Sequence, residues 1–302
     1  MTLNSSLPIE YVICGPTAVG KTAIAIALAK HLRTSIVSAD SRQCYTEMSI
    51  GTAKPSPKEL AEVKHYFINE FPVTESLSAA DYEKLALGYL DEIFKTSGTA
   101  VVCGGTGLYI KALCEGLDEM PEADEEMSAE IIEQYKLGGM EWLREAVENE
   151  DPAFYESSES ENPARLIRAL IFKRSTGESI LEYRTGEKKP RHFQIVKIGI
   201  ELPREILYER INKRVDIMME QGLLDEAKGL YPHKHLKNLQ TVGYVELFDY
   251  LDGKYSLQEA IAKIKQHTRN YAKRQLTWFR KDQEVKWLNA GDKDIISKIL
   301  HQ

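Results

Sequence analysis

The stretch GPTAVGKT, residues 15–22, constrains the fold more than any other part of the sequence. The apolar run at residues 10–15 has the composition of a buried strand, and an Ala- and Leu-rich run from Lys21 to about Arg33 is typical of a helix. Glycines in a turn between a strand and a helix let backbone N–H groups and the helix N-terminus converge on phosphate oxygens. The chain is therefore expected to fold as an α/β protein around a phosphate-binding turn.

Strand-like and helix-like segments continue to alternate beyond this turn. Apolar runs at 35–40, 99–107 and 194–202 predict three further strands, and residues 78–94 predict a helix with Ser78 as its N-cap. Strands that are joined through helices are typical of a parallel sheet. The predicted fold class is α/β, with a parallel-sheet core that contains the phosphate loop (a P-loop).

A long charged segment interrupts the alternation. Residues 115–190 have a mostly helical pattern, and the chain from Arg204 to about Lys281 is also helical in pattern. We therefore expect two domains. One is a P-loop α/β catalytic core of residues 1–114 and 191–302, which includes a helical C-terminal part. The other is a helical insertion domain of residues 115–190.

Charge is distributed unevenly along the chain. The net charge of −7 by itself argues against a nucleic-acid partner. However, residues 115–161 hold 17 acidic and two basic side chains, so the rest of the chain carries a net charge of +8. Electrostatic attraction depends on the local surface rather than on the total charge. A nucleic-acid partner therefore stays possible for the body of the chain.

Composition also restricts the class of protein. The four cysteines are scattered and form no C-x-x-C pair, which argues against a zinc site and against a disulfide framework. No apolar run approaches the roughly 18 residues that a membrane-spanning helix needs, and no secretory signal is evident. We expect a cytoplasmic protein with no membrane partner and no obligate protein partner.

The second predicted strand ends in an acidic residue, Asp40. Open α/β sheets bind ligands at the carboxyl ends of their strands, so Asp40 is expected beside the phosphate turn. There it can act as a general base, support a metal ion, or only cap a turn. The next predicted strand ends in glycines and Thr106, without the acid that nucleoside triphosphatases use, which argues against ATP hydrolysis. Thr106 is either a substrate contact or a helix N-cap.

Six motifs together carry a family resemblance. They resemble the motifs of bacterial tRNA dimethylallyltransferases, also called tRNA isopentenyltransferases, and the resemblance runs from about residue 11 to about residue 289. In order, they are GPTAVGKT, SADSRQCY, IGTAKP, GGTGLYIKAL, TVGYVEL and YAKRQLTWFR. The resemblance implies transfer of a dimethylallyl group from dimethylallyl diphosphate to N6 of adenosine 37 of tRNA, next to the anticodon, with release of diphosphate.

The resemblance assigns the phosphate turn to the diphosphate leaving group. Lys21 and the backbone N–H groups of residues 17–20 would neutralise the leaving charge, and the Thr22 hydroxyl is the implied ligand of Mg²⁺, the expected cofactor. The implied diphosphate-binding residues are Gly15, Thr17, Ala18, Val19, Gly20, Lys21 and Thr22.

Three residues carry the implied chemistry. Asp40 and Thr106 match family residues that contact the N6 amine, and Asp40 is the candidate acceptor of the N6 proton. An arginine in the stretch RINKRVDIMMEQG is implied to reach the diphosphate. We place it at Arg214, with Arg210 as the less favoured alternative.

A pocket can reach N6 only if the adenosine is flipped out of the anticodon loop. Single-stranded loops are recognised by stacking, hydrogen bonds and cations, and residues 162–174 and 265–281 offer basic residues at helical spacing. Gly243 is expected to permit a close backbone approach, and Trp278 and Phe279 are either RNA contacts or core residues. The residues implied to contact the tRNA anticodon stem-loop are Asp40, Ser41, Arg42, Gln43, Arg165, Arg168, Thr241, Gly243, Lys273, Arg274, Gln275 and Arg280.

Three alternative functions share parts of this pattern. A P-loop kinase for a nucleoside or small metabolite has the same turn and core, and it would consume ATP. A non-catalytic RNA-binding protein would use the turn only to hold phosphate. Prenylation of free adenine nucleotides would keep the chemistry, but a mononucleotide needs no extended basic surface such as residues 265–281.

Overall fold

The structure, a computed structural model, describes residues 7–121, 124–157 and 161–302. The chain divides into two compact units. The first unit consists of Met1–Glu115 and Pro190–Gln302, and the second of Gly116–Lys189. The assignment of catalysis to the first unit stays a prediction.

A sheet of parallel strands forms the centre of the first unit. Its spatial order is β3-β2-β4-β1-β5-β6, and every pair of neighbours is parallel. This confirms the predicted α/β fold class. The strands are β1 (Ile9–Cys14), β2 (Ile36–Ala39), β3 (His65–Tyr66), β4 (Thr99–Gly104), β5 (Gln194–Glu201) and β6 (Lys286–Asn289).

Two of these strands have no counterpart in the sequence prediction. The strand β3 has two residues, and β6 has four residues of which none is buried. Both lie at the edges of the sheet, β3 beside β2 and β6 beside β5. Segments this short carry no periodicity, so pairing with the neighbouring strand decides their conformation. The C-terminal part is therefore not purely helical.

Helices cover the strands and build the second unit. Ser78 caps α3 as predicted, because its hydroxyl accepts a hydrogen bond from the Asp81 N–H at 3.1 Å and the Asp81 carboxylate accepts from the Ser78 N–H at 2.8 Å. The helices are α1 (Lys21–Leu32), α2 (Pro57–Glu62), α3 (Ala79–Phe94), α4 (Gly107–Glu115), α5 (Glu125–Glu150), α6 (Pro152–Tyr155), α7 (Pro163–Thr176), α8 (Arg204–Glu220), α9 (Leu223–Leu230), α10 (Tyr244–Leu251), α11 (Leu257–Phe279) and α12 (Ile295–Leu300).

Apolar residues cover both faces of the sheet. Along β1, Tyr11 and Ile13 belong to one buried cluster and Val12 and Cys14 to another, since successive strand residues point to opposite faces. Helix α1 packs into the first cluster and α3 into the second. A strand that is covered on both sides is mostly apolar, which explains the apolar residues 11–14 before the phosphate turn. Glu10, which is also buried, is the exception in β1.

The second unit has a core of its own. Helices α5, α6 and α7 enclose a cluster that includes Leu143, Phe154 and Leu166. Arg174 of α7 binds both carboxylate oxygens of Glu150 of α5, at 2.7 and 2.9 Å. No helix among the described residues combines the length and the apolar composition that crossing a membrane requires.

Candidate active site

The turn at residues 15–22, which we call the phosphate loop, has positive φ angles at Gly15 and Gly20 that favour glycine. Gly15 has a φ of 137°, and a Cβ there would lie 2.4 Å from the carbonyl oxygen of Ile200. Gly20 has a φ of 107° and precedes α1 without any side-chain cap. The N–H groups of residues 18–21 have no hydrogen-bond partner within the described chain. Four unpaired donors at the start of a helix form a site for an anion.

Lys21 adds a positive charge to these donors. Its Nζ donates to the carbonyl oxygen of Pro16 at 2.8 Å, so the side chain folds back over the phosphate loop. Burial lowers the pKa of Lys21, and the charge of Arg214 lowers it further. Asp40 opposes this shift, and an anion in the loop would favour the charged form further, because it adds negative charge beside the ammonium group.

The phosphate loop opens into a cavity of about 290 Å³, which we call the phosphate cavity. Its walls also include Asp40, Arg214, Tyr271 and Gln275. Lys21 and Thr22, the candidate magnesium ligand, line the same cavity. The cavity therefore combines phosphate donors, two cations and one carboxylate.

A second cavity of about 210 Å³ shares one side with the first. We call it the apolar-walled cavity, because Val215, Met218, Leu223, Val242 and Ile264 line its far side. The residues that line both cavities are Thr17, Asp40, Thr52, Ala53, Arg214 and Tyr271. A molecule with a charged head and a short hydrocarbon tail fits this pair of cavities.

Asp40 follows β2, as predicted, and its carboxylate is anchored on one side only. Its Oδ1 accepts hydrogen bonds from the N–H groups of Arg42 at 2.9 Å and Gln43 at 3.3 Å. Its Oδ2 has no hydrogen-bond partner within residues 7–121, 124–157 and 161–302. One oxygen thus fixes the orientation, while the other is available to accept a proton in the cavities.

Thr106 lies behind this carboxylate rather than in the cavities. Its hydroxyl accepts a hydrogen bond from the Ser41 N–H at 3.0 Å and donates to the Ser41 hydroxyl at 3.3 Å. Its own N–H donates to the carbonyl oxygen of Ala39 at 3.1 Å. Thr106 lines neither the phosphate cavity nor the apolar-walled cavity. In this structure it positions the residues that flank Asp40.

The structure separates the two candidate arginines on α8. Arg214 donates from Nη2 to the Thr17 hydroxyl and lines both cavities. Burial lowers the pKa of Arg214 to about 10, and the nearby Asp40 opposes this shift, so the side chain is charged at neutral pH. Arg210 is exposed, donates to the carbonyl oxygen of Val19 at 3.2 Å and lines neither cavity. The geometry favours Arg214 as the diphosphate contact.

Gln275 joins the phosphate loop to its surroundings. It is buried, its Oε1 accepts the Thr17 N–H at 2.8 Å, and its Nε2 donates to the carbonyl oxygen of Gly105 at 2.9 Å. Both ends of the amide are therefore engaged inside the protein, and the predicted RNA contact of Gln275 stays a prediction. The same bond removes the Thr17 N–H from the set of free donors, so the expected donor range of residues 17–20 shifts to residues 18–21.

A family model described as IPP transferase matches residues 43–282. The chain belongs to the IPP transferase family. A tRNA dimethylallyltransferase of Christiangramia forsetii is 47% identical over 280 residues, which cover 93% of each chain. A tRNA dimethylallyltransferase of Phocaeicola vulgatus is 44% identical over 290 residues, which cover 96% of this chain and 97% of the relative.

Solved structures of the IPP transferase family have the same fold. A tRNA isopentenylpyrophosphate transferase of Bacillus halodurans superposes with a TM-score of 0.71 at 38% identity, over 97% of this chain and 94% of the other. The resemblance inferred from the six motifs is thereby confirmed. These comparisons do not favour the alternative that the chain is a P-loop kinase for a nucleoside or small metabolite.

A wall of the site that sequence reasoning missed depends on Glu226 of α9. Its carboxylate accepts the N–H groups of residues 49–51 at 2.8 to 3.1 Å and the Tyr244 hydroxyl at 2.7 Å. Gln43 holds the next two residues, because its Nε2 donates to the carbonyl oxygens of Thr52 at 3.2 Å and Ala53 at 3.3 Å. The motif IGTAKP is thus fixed from two sides where it lines the cavities.

The candidate RNA contacts fall into two groups in the first unit. Ser41, Arg42, Thr241 and Gly243 line the apolar-walled cavity beside Asp40. Apart from Gly243 and its two chain neighbours, no heavy atom of the described protein lies within 4 Å of a Cβ placed on Gly243, but its φ is 102°. A positive φ, and not close packing within the protein, therefore makes glycine the suitable residue there.

The second group lies on α11, and the structure divides its cations. Lys273 and Arg274 are exposed, whereas Lys265 binds Asp216 of α8 at 2.6 Å. Arg280, also exposed, lies 3.3 Å from the carboxylate of Glu201. Lys265 links α11 to α8 through its ion pair, whereas Lys273 and Arg274 present their charges to solvent.

The remaining candidate RNA contacts differ in their exposure to solvent. Trp278 is 41% exposed, whereas Phe279 is 3% exposed and belongs to the core. In the second unit, Arg165 and Arg168 are both exposed on α7. Whether any of these residues touches tRNA stays a prediction.

Proposed function

We propose that this protein transfers the dimethylallyl group of dimethylallyl diphosphate to N6 of adenosine 37 of tRNA and releases diphosphate. One observation carries the proposal: Asp40 and Arg214 line both the phosphate cavity and the apolar-walled cavity. An allylic diphosphate has a charged head for the first cavity and a hydrocarbon tail for the second. Membership of the IPP transferase family supports this assignment.

The phosphate loop would stabilise the leaving group. As the bond between C1 of the dimethylallyl group and the diphosphate oxygen breaks, negative charge accumulates on that oxygen. Lys21, Arg214 and the N–H groups of residues 18–21 would neutralise it; Ala18, Gly20, Lys21 and Arg214 line the phosphate cavity. Because these donors are fixed before the reaction, they need no reorganisation as charge develops.

Mg²⁺ fits this site through Thr22. The Thr22 hydroxyl lines the phosphate cavity and makes no hydrogen bond within the described chain, and a hydroxyl beside a phosphate-binding turn suits a hard cation. Bound there together with the diphosphate, Mg²⁺ would supply further positive charge to the leaving group.

Asp40 would accept the proton that N6 loses. The N6 lone pair is delocalised into the adenine ring, so attack on C1 requires loss of a proton as the new N–C bond forms. The free Oδ2 of Asp40 is the candidate acceptor, and Thr106 holds the neighbouring Ser41 in place. General-base catalysis of this kind typically contributes about 10²–10⁴-fold to the rate.

The tRNA is proposed to approach over the exposed cations of α11. Lys273 and Arg274 lie five and six residues after Thr268, which lines the apolar-walled cavity. Ser41, Arg42, Thr241 and Gly243 would surround the extruded adenosine, and Gln43 would support this site through its hydrogen bonds to Thr52 and Ala53. Arg165, Arg168 and Arg280 would add contacts to the anticodon stem-loop. Because tRNA is the proposed substrate, we also propose that the protein acts in the cytoplasm.

Mass spectrometry of digested nucleosides tests the proposal. An anticodon stem-loop with A at position 37, incubated with the protein, Mg²⁺ and isotopically labelled dimethylallyl diphosphate, should yield labelled N6-dimethylallyladenosine. A stem-loop with G at position 37 should stay unlabelled. Labelled AMP in place of labelled stem-loop would identify a free nucleotide as the acceptor. ATP turnover without any labelled nucleoside would support the kinase alternative.

A further inference from the structure

Helix α11 is hydrogen-bonded to the phosphate loop through the buried side chain of Gln275. Its two hydrogen bonds join three segments: the helix itself, Thr17 of the phosphate loop, and Gly105 immediately after β4. The space around the amide is tight, since a Cβ on Gly105 would lie 2.3 Å from its Nε2. The amide therefore has one defined position.

Thr17 transmits this position to the rest of the site. Its N–H is bound by Gln275, and its hydroxyl accepts a hydrogen bond from Arg214. Gln275, Thr17 and Arg214 thus form a chain of side-chain and backbone hydrogen bonds along one wall of the phosphate cavity. Displacement of Gln275 would move both the start of the phosphate loop and the partner of its arginine.

We infer that Gln275 is a positioning residue for the diphosphate and not a contact of the RNA. The inference builds on the proposed function, in which the phosphate loop holds the diphosphate of the donor. Gln275 acts through Thr17: it fixes the loop in the conformation that leaves the N–H groups of residues 18–21 directed at the anion. The exposed side of the same helical turn, Lys273 and Arg274, is left for RNA.

Gln275→Met tests the inference, because Met has a similar volume and loses both hydrogen bonds. Affinity for inorganic pyrophosphate with Mg²⁺, measured by calorimetry, should fall about five- to fifty-fold. Affinity for the unmodified anticodon stem-loop, measured in the absence of donor, should change less than two-fold. In steady-state assays, the KM for dimethylallyl diphosphate should rise while the KM for RNA does not.

A matched control is available on the same helix. Gln258→Met makes the same change at an exposed position of α11, 17 residues before Gln275, and should leave both affinities unchanged. Thermal unfolding of both variants shows whether each is folded at the assay temperature.

Two outcomes would overturn the inference. If Gln275→Met weakens RNA binding but not pyrophosphate binding, Gln275 is an RNA contact, as the sequence first suggested. If pyrophosphate binds equally well or more tightly, the hydrogen bond to Thr17 does not position the loop. Since pyrophosphate binding needs no transfer reaction, failure of the proposed function would be seen separately, as the absence of labelled nucleoside with the unaltered protein.

Discussion

At the scale of single residues, the site depends on side chains that are each held by one atom and free at another. Asp40 is fixed through Oδ1 by two backbone N–H groups, which leaves Oδ2 for chemistry. Arg214 is fixed through Thr17 and lines both cavities. Such partial anchoring sets orientation before substrate arrives, which lowers the entropic cost of reaching the reactive geometry.

Asp40→Asn separates the two tasks of the carboxylate. The amide oxygen can still accept from Arg42 and Gln43, but the side chain can no longer take a proton. We expect kcat to fall by about 10²–10⁴-fold, with the stem-loop Kd and the KM for dimethylallyl diphosphate changed less than threefold. Single-turnover kinetics with labelled donor measures this. A kcat within threefold of the unaltered protein would exclude Asp40 as the general base.

Arg214→Gln and Arg210→Gln form a matched pair on α8. Loss of a charge that stabilises the leaving group costs about 10²–10³-fold in rate, so Arg214→Gln should lower kcat/KM for dimethylallyl diphosphate by that factor. Arg210 is exposed and lines neither cavity, so Arg210→Gln should change kcat/KM by less than fivefold. Equal losses in the two variants would contradict the assignment of Arg214.

At the scale of elements, α11 has two different faces. Its buried side carries Gln275 and Phe279 into the core, and its exposed side carries Lys273 and Arg274. Lys265 and Arg269 bind Asp216 and Asn212 of α8, so these cations hold two helices together. The helix therefore combines support for the phosphate loop with a surface for a polyanion.

The exposed cations of α11 should control the salt dependence of RNA binding. Each phosphate contact that is lost lowers the slope of log K against log salt by about 0.7–0.9, so Lys273→Ala with Arg274→Ala should flatten it by about 1.5. Lys265→Ala is the control, since its ammonium group already binds Asp216. Titrations of a labelled stem-loop at several salt concentrations give the slopes. An unchanged slope in the double variant would place the RNA contacts elsewhere.

The sequence predicted those elements whose signals are local. The sequence predicted β1, the phosphate loop and α1, because the apolar run, the glycines and the helix lie within about 25 consecutive residues. Glu226 was missed because the N–H groups that it binds lie about 175 residues away, at residues 49–51. The hydrogen bond of Gln275 to the phosphate loop was missed for a similar reason, since its partner Thr17 is 258 positions distant and the two residues before Gln275 are exposed cations.

At the scale of the whole molecule, the two units differ in net charge. The acidic segment, residues 115–161, lies almost entirely in the second unit, so the first unit carries the net positive charge that suits RNA.

The first unit also holds an acid in its core, Glu10 of β1, which is fully buried and whose oxygens have no hydrogen-bond partner in the described structure. Such a group makes stability depend on pH.

Burial raises the pKa of Glu10 to about 8, with Arg191 and Lys197 opposing the shift. The folded state thus favours the protonated acid. Its contribution to stability is complete below the unfolded pKa of about 4.5 and is lost as pH rises through about 8. Glu10→Gln, which is neutral at every pH, should therefore gain stability relative to the unaltered protein by about 1 kcal/mol per pH unit between pH 5.5 and 7.5. Chemical unfolding at several pH values measures the difference. A difference that does not vary with pH would contradict this account of Glu10.

The central claim is that the phosphate loop holds the diphosphate of an allylic donor whose tail lies against the apolar wall. The most direct measurement is a crystal structure with a non-hydrolysable thio-analogue of dimethylallyl diphosphate and Mg²⁺. We expect the diphosphate against the N–H groups of residues 18–21, with Lys21 and Arg214 in contact with it, and the dimethylallyl carbons near Val215 and Met218. An ATP triphosphate bound in preference to the analogue in a competition soak, or an analogue bound away from Asp40, would contradict it.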